Sequence, residues 1–283
     1  MKFRAMMVDP QYMREFQNIV ITLSKLTKEC VLNISRNKIY FIANEESGTV
    51  APLVWVEIDA SLYFSEYAME GAKDKYQQIM LAIPAVKLGR ALGSLRSGAL
   101  YCKIKLTNIQ FPCLTVEFEV KSHVSDQIRK VVHDVPVNVI PRSDWSHYDV
   151  PEVPLSKIIL NVPSNRLMRG LIDKMKNLSP TIVFHAMSTG ELNLIAETEM
   201  ATVTTRYKDL EVRAIHPSET DKEKEHIEAS CSVDCKKTSL LFSSLQVPTL
   251  ELSCGIDDER LLHMEVNVRQ GVTIHSIIPA VCV

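Results

Sequence analysis

Two hydrophobic patterns alternate along this chain, and they occur in the same order in both halves. In the first half, a set of apolar residues at helical spacing precedes two short segments rich in apolar residues, 30–35 and 38–43. The helical set is Met13, Phe16, Val20 and Leu23. A spacing of three to four residues predicts an amphipathic helix, and short alternating or β-branched runs predict strands.

The second half repeats this order. Its helical set and the two predicted strands that follow are Leu167, Leu171, Met175 and Leu178, then 181–186 and 191–196. An offset of 153 residues places Ile42 and Ala43 on Ile195 and Ala196, and it places Ile34 on Met187. The common offset indicates that the halves are copies of one unit.

Each half closes with a further helix and two strands. These are a helix over 84–96 before strands 101–106 and 113–118, and a helix over 235–245 before strands 250–254 and 261–266. A shift of 148 residues aligns three strand positions of the two halves: Leu114, Val116 and Phe118 with Leu262, Met264 and Val266. The sequence therefore predicts a duplicated α+β fold, with helices on one face of antiparallel sheets.

The middle of the chain differs from both halves. Four prolines fall within it: Pro136, Pro141, Pro151 and Pro154. Proline removes a backbone donor and favours extended chain, so this segment is predicted as a connector. We expect a first domain over 1–130, a linker over 131–156 and a second domain over 157–283. The charged stretch 219–225 predicts a solvated loop.

Composition narrows the class of protein. The chain has 283 residues, of which 46% are hydrophobic and 23% charged, which is typical of a globular protein with a sizeable core. No run of 18 apolar residues predicts a membrane span, and no signal peptide is expected at the start. Seven dispersed cysteines favour a reducing compartment over a disulfide framework.

Motifs for catalysis are missing from the sequence. None of the nine glycines builds a dinucleotide or triphosphate loop, and Gly89 and Gly93 are predicted to allow close helix packing. His226, Cys231 and Cys235 lack the spacing of a zinc site and are interpreted as structural. The acidic stretch 257–259 is interpreted as a turn. We expect no enzyme, no metal and no cofactor.

Positive charge is concentrated on the predicted helices. Windows 10–29, 84–97, 163–178 and 234–246 hold twelve basic and four acidic residues, whereas the other 220 residues hold 20 basic and 30 acidic ones. The basic residues are Arg14, Lys25, Lys28, Lys87, Arg90, Arg96, Arg166, Arg169, Lys174, Lys176, Lys236 and Lys237. Solvation of exposed helix faces is the simpler alternative. Four similar helices in an otherwise acidic chain favour contact with duplex phosphates, independent of sequence.

Several segments in collinear order resemble one family of ring-shaped DNA sliding clamps. They are 1–5, 105–108, 111–116, 132–142, 174–177, 190–194, 197–199, 204–210 and 278–280. On these segments the chain is similar to the Hus-type subunit of the heterotrimeric checkpoint clamp, the nine-one-one clamp. The resemblance spans the chain, although 211–226 and 281–283 do not follow it. It does not separate the main family member from a close paralogue.

The resemblance implies a sliding-clamp fold of two duplicated domains, with basic helices on the inner face and antiparallel sheets outside. It implies a non-catalytic subunit of a ring around duplex DNA at damage sites, which activates the DNA-damage checkpoint and scaffolds repair enzymes. The implied partners are two different clamp subunits, an ATP-dependent clamp loader and repair enzymes, without a membrane. The implied location is the nucleus, with the cytoplasm as a second location.

By the same analogy, the subunits join through edge strands, for which we nominate 112–120 and 199–207. The nominated subunit-edge residues are Leu114, Val116, Phe118, Thr202 and Thr204. The alternative is that these strands are interior, since periodicity does not distinguish the two. The resemblance also implies an apolar partner groove along the linker, formed by Val135, Val137, Val139, Ile140 and Trp145. A linker that only covers a sheet edge and buries Trp145 is equally compatible.

Two other functions remain open at this point. The first is a homotrimeric replication processivity clamp, which would have the same architecture and a different rule for choosing partners. The second is a catalytic protein that uses Cys231 and Cys235 or an unrecognised metal site.

Overall fold

The computed structural model describes residues 2–43, 52–70, 78–108, 110–121, 127–217 and 226–281, without the side chains of residues 94, 96 and 97. The predicted loop at 219–225 and the Arg96 side chain lie outside this description. The chain divides into two compact units, with the main boundary between Val150 and Pro151.

The described part of the first unit contains three helices and nine strands, and a short connector after the ninth strand belongs to the same compact unit. They are β1 (Lys2–Met7), α1 (Pro10–Leu26), β2 (Glu29–Ile34), β3 (Lys38–Ala43), β4 (Leu53–Asp59), α2 (Ala60–Tyr63), β5 (Glu66–Glu70), β6 (Ile79–Pro84), α3 (Ala85–Ala91), β7 (Ala99–Asn108), β8 (Pro112–Lys121) and β9 (Ile128–Pro136). A 3-10 segment, Leu92–Ser97, continues α3. The connector holds β10 (Asn138–Val139) and a second 3-10 segment, Arg142–Tyr148.

The described part of the second unit contains two helices and nine strands. They are β11 (Ile158–Asn161), α4 (Asn165–Met175), β12 (Thr181–Met187), β13 (Glu191–Glu197), β14 (Thr202–Tyr207), β15 (Val212–Ile215), β16 (Glu228–Asp234), α5 (Cys235–Ser244), β17 (Glu251–Asp257), β18 (Leu261–Arg269) and β19 (Val272–Pro279). The predicted order of strand, helix, several strands, helix and several strands is confirmed in both units.

Sheet order shows the duplication most directly. The first unit has a four-strand order β6-β2-β3-β4 and a five-strand order β5-β1-β7-β8-β9. The second unit has β16-β12-β13-β14 and β15-β11-β17-β18-β19. Each strand of one unit has its counterpart at the same place in the other. The duplicated fold is therefore a matter of topology as well as of sequence pattern.

Hairpin register corrects one detail of the predicted repeat. Ile42 pairs with Val31 in the first unit, and Ile195 pairs with Val183 in the second, so the earlier strands are offset by 152 residues. Ile34 consequently corresponds to the buried Ala186 and not to Met187. The second hairpin has one more turn residue, and Gly190 there has a φ of 84°, a conformation that favours glycine.

Helix ends follow from local chemistry. The Asp9 side chain accepts a hydrogen bond from the Gln11 backbone at 2.7 Å, and Pro10 occupies the first turn of α1. The Asp234 side chain accepts one from the Lys237 backbone at 2.8 Å at the start of α5. Both are N-cap interactions that satisfy donors otherwise left without a partner.

Packing does not require glycine at either predicted position. A Cβ on Gly89 would lie 3.5 Å from Ser24 Oγ of α1, which is an ordinary van der Waals contact. A Cβ on Gly93 would meet no described atom within 4 Å. Gly89 lies where α3 faces α1, but a larger residue would fit at both positions.

The predicted apolar face holds for α1 and fails for α4. In α1, the predicted set Met13, Phe16, Val20 and Leu23 is buried. In α4, Met168, Ile172 and Met175 are buried, whereas Leu167 and Leu178 are exposed. The predicted set was one position out of phase at Leu167 and Leu171. The reason is that apolar residues also lie next to the residues that face the core. Leu167, Leu171 and Leu178 do not anchor this helix in the core.

The predicted domain boundaries shift where the linker begins. Residues 131–136 are part of β9 and pair with β8, so the first unit extends beyond residue 130. Asn138 and Val139 then pair with Ala82 and Leu81 of β6. The connector therefore covers the edge of β6 before it enters the 3-10 segment.

Candidate nucleic-acid interface and subunit edges

The exposed sides of α1 and α3 carry the cations of the first unit. Arg14 and Lys25 on α1 and Lys87 and Arg90 on α3 are exposed. Lys28 is exposed as well, but it follows the end of α1 and lies in the turn before β2. Because the two helices pack against each other, their exposed cations lie on adjoining surfaces.

Acidic side chains are kept away from this surface. Among the residues that the structure describes, no carboxylate lies within 4.0 Å of these five cations. The Arg14 side chain donates to the Pro10 carbonyl at 3.2 Å, which leaves its charge uncompensated. Glu15 is buried on the opposite side and accepts a hydrogen bond from the Tyr63 hydroxyl at 2.5 Å. The surface is thus positive and available to an anion.

The second unit presents a comparable surface with weaker net charge. Arg166, Arg169, Lys174 and Lys176 of the α4 region are exposed, as is Lys236 on α5. Lys237 is half-buried, and its backbone N–H donates to the Asp234 side chain at the start of α5. Lys237 is therefore the weakest member of the predicted set.

Asp173 pairs with two of these cations. Its carboxylate lies 3.7 Å from Arg169 Nε and 3.9 Å from Lys176 Nζ. The sequence analysis treated Asp173 as one of four acidic residues in the helical windows and did not identify the cations that it pairs with. Its spacing of four residues from Arg169 and three from Lys176 would have indicated both pairs.

This surface suits phosphates better than bases. The described aromatic side chains of α1, α3, α4 and α5 are Tyr12, Phe16 and Phe242, and none of them is exposed. Stacking on single-stranded bases therefore has no platform on these helices. Lysine and arginine without acceptor side chains make sequence-independent contacts with the duplex backbone.

The first nominated subunit edge is wrong. β8 is interior, since it pairs with β7 on one side and with β9 on the other. Leu114, Val116 and Phe118 are buried in the core. Strand alternation is the same at an interior and an edge position, so the pattern could not separate them. The terminal strands of this sheet are β5 and β9, and β9 is the one that follows β8.

The second nominated edge lies where expected. β14 pairs with β13, and no other strand pairs with it among the described residues. Thr202 and Thr204 are exposed on this strand, and Val203 is partly exposed beside them. The two strands that end their sheets in this way, β9 and β14, belong to different units.

The predicted partner groove is only partly present. Val135, Val137 and Ile140 are buried, and the Val137 backbone donates to the Pro112 carbonyl at 3.0 Å. These three side chains therefore attach the connector to the sheet, as in the alternative interpretation, and do not line a groove.

Val139 is the exposed member of the predicted groove. It lines a hollow of about 340 Å³ together with Ile79, Leu106 and Pro112. Trp145 is half-buried, and its Nε1 donates to the Ile140 carbonyl at 3.0 Å. Of the five predicted groove residues, Val139 is exposed and Trp145 is half-buried, and these two stay candidates for partner contact.

The cysteine alternative receives no support from the geometry. Cys231 and Cys235 are buried, and burial raises the pKa of Cys231 to about 12 and that of Cys235 to about 11. A thiol must be deprotonated to act as a nucleophile or metal ligand. His226 is exposed, and no three potential ligands cluster among the described residues. No described helix is long and apolar enough to cross a membrane.

The arrangement of both units defines the class of the protein. Proliferating cell nuclear antigen from Entamoeba histolytica matches with a TM-score of 0.70, 15% identity and 99% of each chain covered. The same protein from Thermococcus kodakaraensis matches with a TM-score of 0.68, 19% identity, and 98% and 99% covered. At these identities the likeness concerns the fold, which is that of the DNA sliding clamps.

Sequence relatives then specify the family. A family model for Hus1-like proteins matches residues 1–282. The Drosophila melanogaster checkpoint protein Hus1-like is 50% identical over 284 residues, and the whole length of both chains is covered. The human checkpoint protein HUS1 is 36% identical, with 99% of each chain covered. The chain belongs to the Hus1-like family.

Proposed function

We propose that this chain is a non-catalytic subunit of a heterotrimeric ring that encircles duplex DNA in the DNA-damage checkpoint. The observation that carries the proposal is the exposed cationic surface of α1 and α3, free of nearby carboxylates, within a sliding-clamp fold. The names of its fly and human relatives, both checkpoint proteins, support the checkpoint assignment. We place the chain in the nucleus, because the duplex DNA that the ring would encircle is located there.

The ring holds DNA by enclosure, and its cations only guide the duplex. Each phosphate neutralised contributes a salt dependence of about 0.9 in log affinity per log unit of salt, so a few contacts hold DNA loosely. Loose contact allows the ring to slide, whereas closure prevents its loss. We assign the opening and closing of the ring to a separate ATP-dependent clamp loader, as the resemblance to the checkpoint clamp implies.

We assign ring closure to two of the strands that end their sheets, β9 and β14. An unpaired strand edge is a template for a strand of another chain. The exposed apolar side chains Ile128 and Val132 on β9, and Val203 on β14, give each edge a patch that a neighbouring subunit would cover. Because the edges differ in sequence, each would select a different neighbour, as a heterotrimer requires.

The test is co-expression with the two other checkpoint clamp subunits of the same organism, followed by sizing and loading onto circular DNA. We expect a complex with one copy of each subunit that stays on a closed circle and leaves when the circle is cut. Native mass analysis of the chain alone provides the second arm. A self-trimer would overturn the proposal in favour of the replication clamp, and a chain that neither assembles nor is retained would exclude both.

A further inference from the structure

Asp173, Ser239 and Lys176 form a closed polar network between α4 and α5. The Ser239 hydroxyl donates to Asp173 Oδ1 at 2.8 Å, and Lys176 Nζ donates to Ser239 Oγ at 3.0 Å. Lys176 Nζ is also 3.9 Å from Asp173 Oδ1, while Arg169 Nε is 3.7 Å from Asp173 Oδ2. Ser239 is buried, so one corner of the network is fixed within the helix pair.

The neighbouring cations of α4 have no such partner. In the part of the chain that the structure describes, no carboxylate lies within 4.0 Å of Arg166 or Lys174. The same holds for Lys87 and Arg90 on α3, the counterpart of α5 in the first unit. Asp173 therefore divides the basic side chains of α4 into a paired and an unpaired group.

We propose that Asp173 competes with DNA phosphate for Arg169 and Lys176 and so lowers the affinity of this unit for the duplex. The inference rests on the proposed function, since it needs DNA beside α4. A paired cation must give up its contact with the carboxylate before it neutralises a phosphate and releases the counterions condensed on the DNA, so the net gain from that phosphate is smaller. The carboxylate also repels the phosphate that approaches.

The pairs are weak enough to be exchanged. Arg169 and Lys176 remain substantially exposed, and ion pairs between exposed side chains contribute little to stability. Asp173 thus lowers the number of cations that contact phosphate at any moment without removing them from the surface. For a ring that must slide, this keeps the affinity for any one position on DNA low.

The first experiment uses Asp173→Asn in the full chain assembled with its ring partners. A labelled short duplex is titrated at a series of sodium chloride concentrations. Releasing one or both cations should steepen the slope of log affinity against log salt by between about 0.9 and 1.8. The matched control is Asp149→Asn, which makes the same chemical change in the exposed connector. A slope change equal in both variants would overturn the proposal.

The second experiment starts from the native Asp173, so its first comparison does not depend on the folding of the Asp173→Asn variant. Arg166→Gln should reduce the slope by about 0.9, whereas Arg169→Gln should reduce it by clearly less. When Asp173→Asn is present, Arg169→Gln should reduce the slope as much as Arg166→Gln does. Equal losses for the two arginines in the native background would contradict the assignment.

A further arm separates this inference from the proposed function. Lys87→Gln with Arg90→Gln removes two unpaired cations of the first unit. If this variant binds DNA as the native ring does, the cationic surface is not the DNA contact and the proposed function fails. If it loses affinity while Asp173→Asn behaves like its control, only the role of Asp173 is refuted.

Discussion

At the scale of single residues, a buried histidine pair marks the second unit. His263 on β18 and His275 on β19 stack with ring planes 7° apart and centroids at 5.4 Å. A hydrogen bond of 3.2 Å joins His263 Nε2 and His275 Nδ1. Burial, with a smaller contribution from His275, lowers the pKa of His263 to about 4, and the Glu265 carboxylate acts weakly in the opposite direction.

This pair predicts a loss of stability in mild acid. The unfolded chain takes up a proton on His263 near its ordinary pKa of 6.5, whereas the folded chain resists it until about 4. The contribution of the neutral His263 to the free energy of unfolding is therefore fully present above pH 6.5. As the pH falls from about 6.5 to about 4, the free energy of unfolding decreases by about 3 kcal/mol. Urea unfolding of the full chain across this range measures the effect.

His263→Phe should flatten this part of the pH profile, because it removes the titrating group. His147→Gln, in the exposed connector, serves as the control and should keep the native profile. A His263→Phe chain that still loses the same free energy between the two pH values would show that another group is responsible.

Single residues also show the limit of the sequence. The sequence singled out Gly89 because it lies within a predicted helix, where glycine is unfavourable. Gly255 did not stand out, although a Cβ there would lie only 2.4 Å from Ser156 Oγ. Ser156 is distant in sequence and reaches Gly255 only through the sheet. Contacts made by tertiary folding leave no local trace in the pattern.

At the scale of elements, hydrophobic period predicted the four long helices, the hairpins that follow them and their duplication, but it did not predict strands such as β1, β4 and β19 and it assigned part of β9 to the linker. It could not rank strands within a sheet, as β8 and β9 show. Both carry alternating residues, yet Val116 of β8 is covered by strands on each side while Val132 of β9 has one paired neighbour. Strand order depends on pairing across the sheet, and one sequence without relatives does not contain it.

The open edges predict two separable assembly defects. Val132→Asp on β9 and Val203→Asp on β14 each place a charge in a patch that the proposed contacts would bury. Each variant should lose one ring neighbour and keep the other, because β9 and β14 face different subunits. Pairwise co-purification with each partner subunit distinguishes the two defects.

Val153→Asp is the matched control for these variants. Val153 is also exposed, but it lies in the connector and not on a sheet edge. The control should assemble as the native chain does. If both edge variants lost the same neighbour, or neither lost any, the assignment of β9 and β14 as subunit edges would be wrong.

At the scale of the whole molecule, the connector that follows β9 has two roles, attachment to the sheet and the proposed contact with a partner. The sequence did not separate them. Val137 is 5% exposed and attaches the connector, whereas Val139 is 39% exposed and lines the hollow beside it. Both are valines in the same alternating stretch. Only their positions relative to Pro112 and β6 distinguish the structural residue from the candidate contact residue.

Aspartate substitutions at these two positions should therefore behave differently. Val137→Asp places a carboxylate at a position that is only 5% exposed, and it should lower the free energy of unfolding by about 3 kcal/mol. Val139→Asp leaves the charge in water, so it should keep the native unfolding temperature and weaken the binding of repair-enzyme fragments that the native ring binds. Thermal unfolding and calorimetric titration measure the two effects. Native affinity in a stable Val139→Asp ring would remove the hollow from the partner surface, and the connector would then serve only to cover the edge of β6.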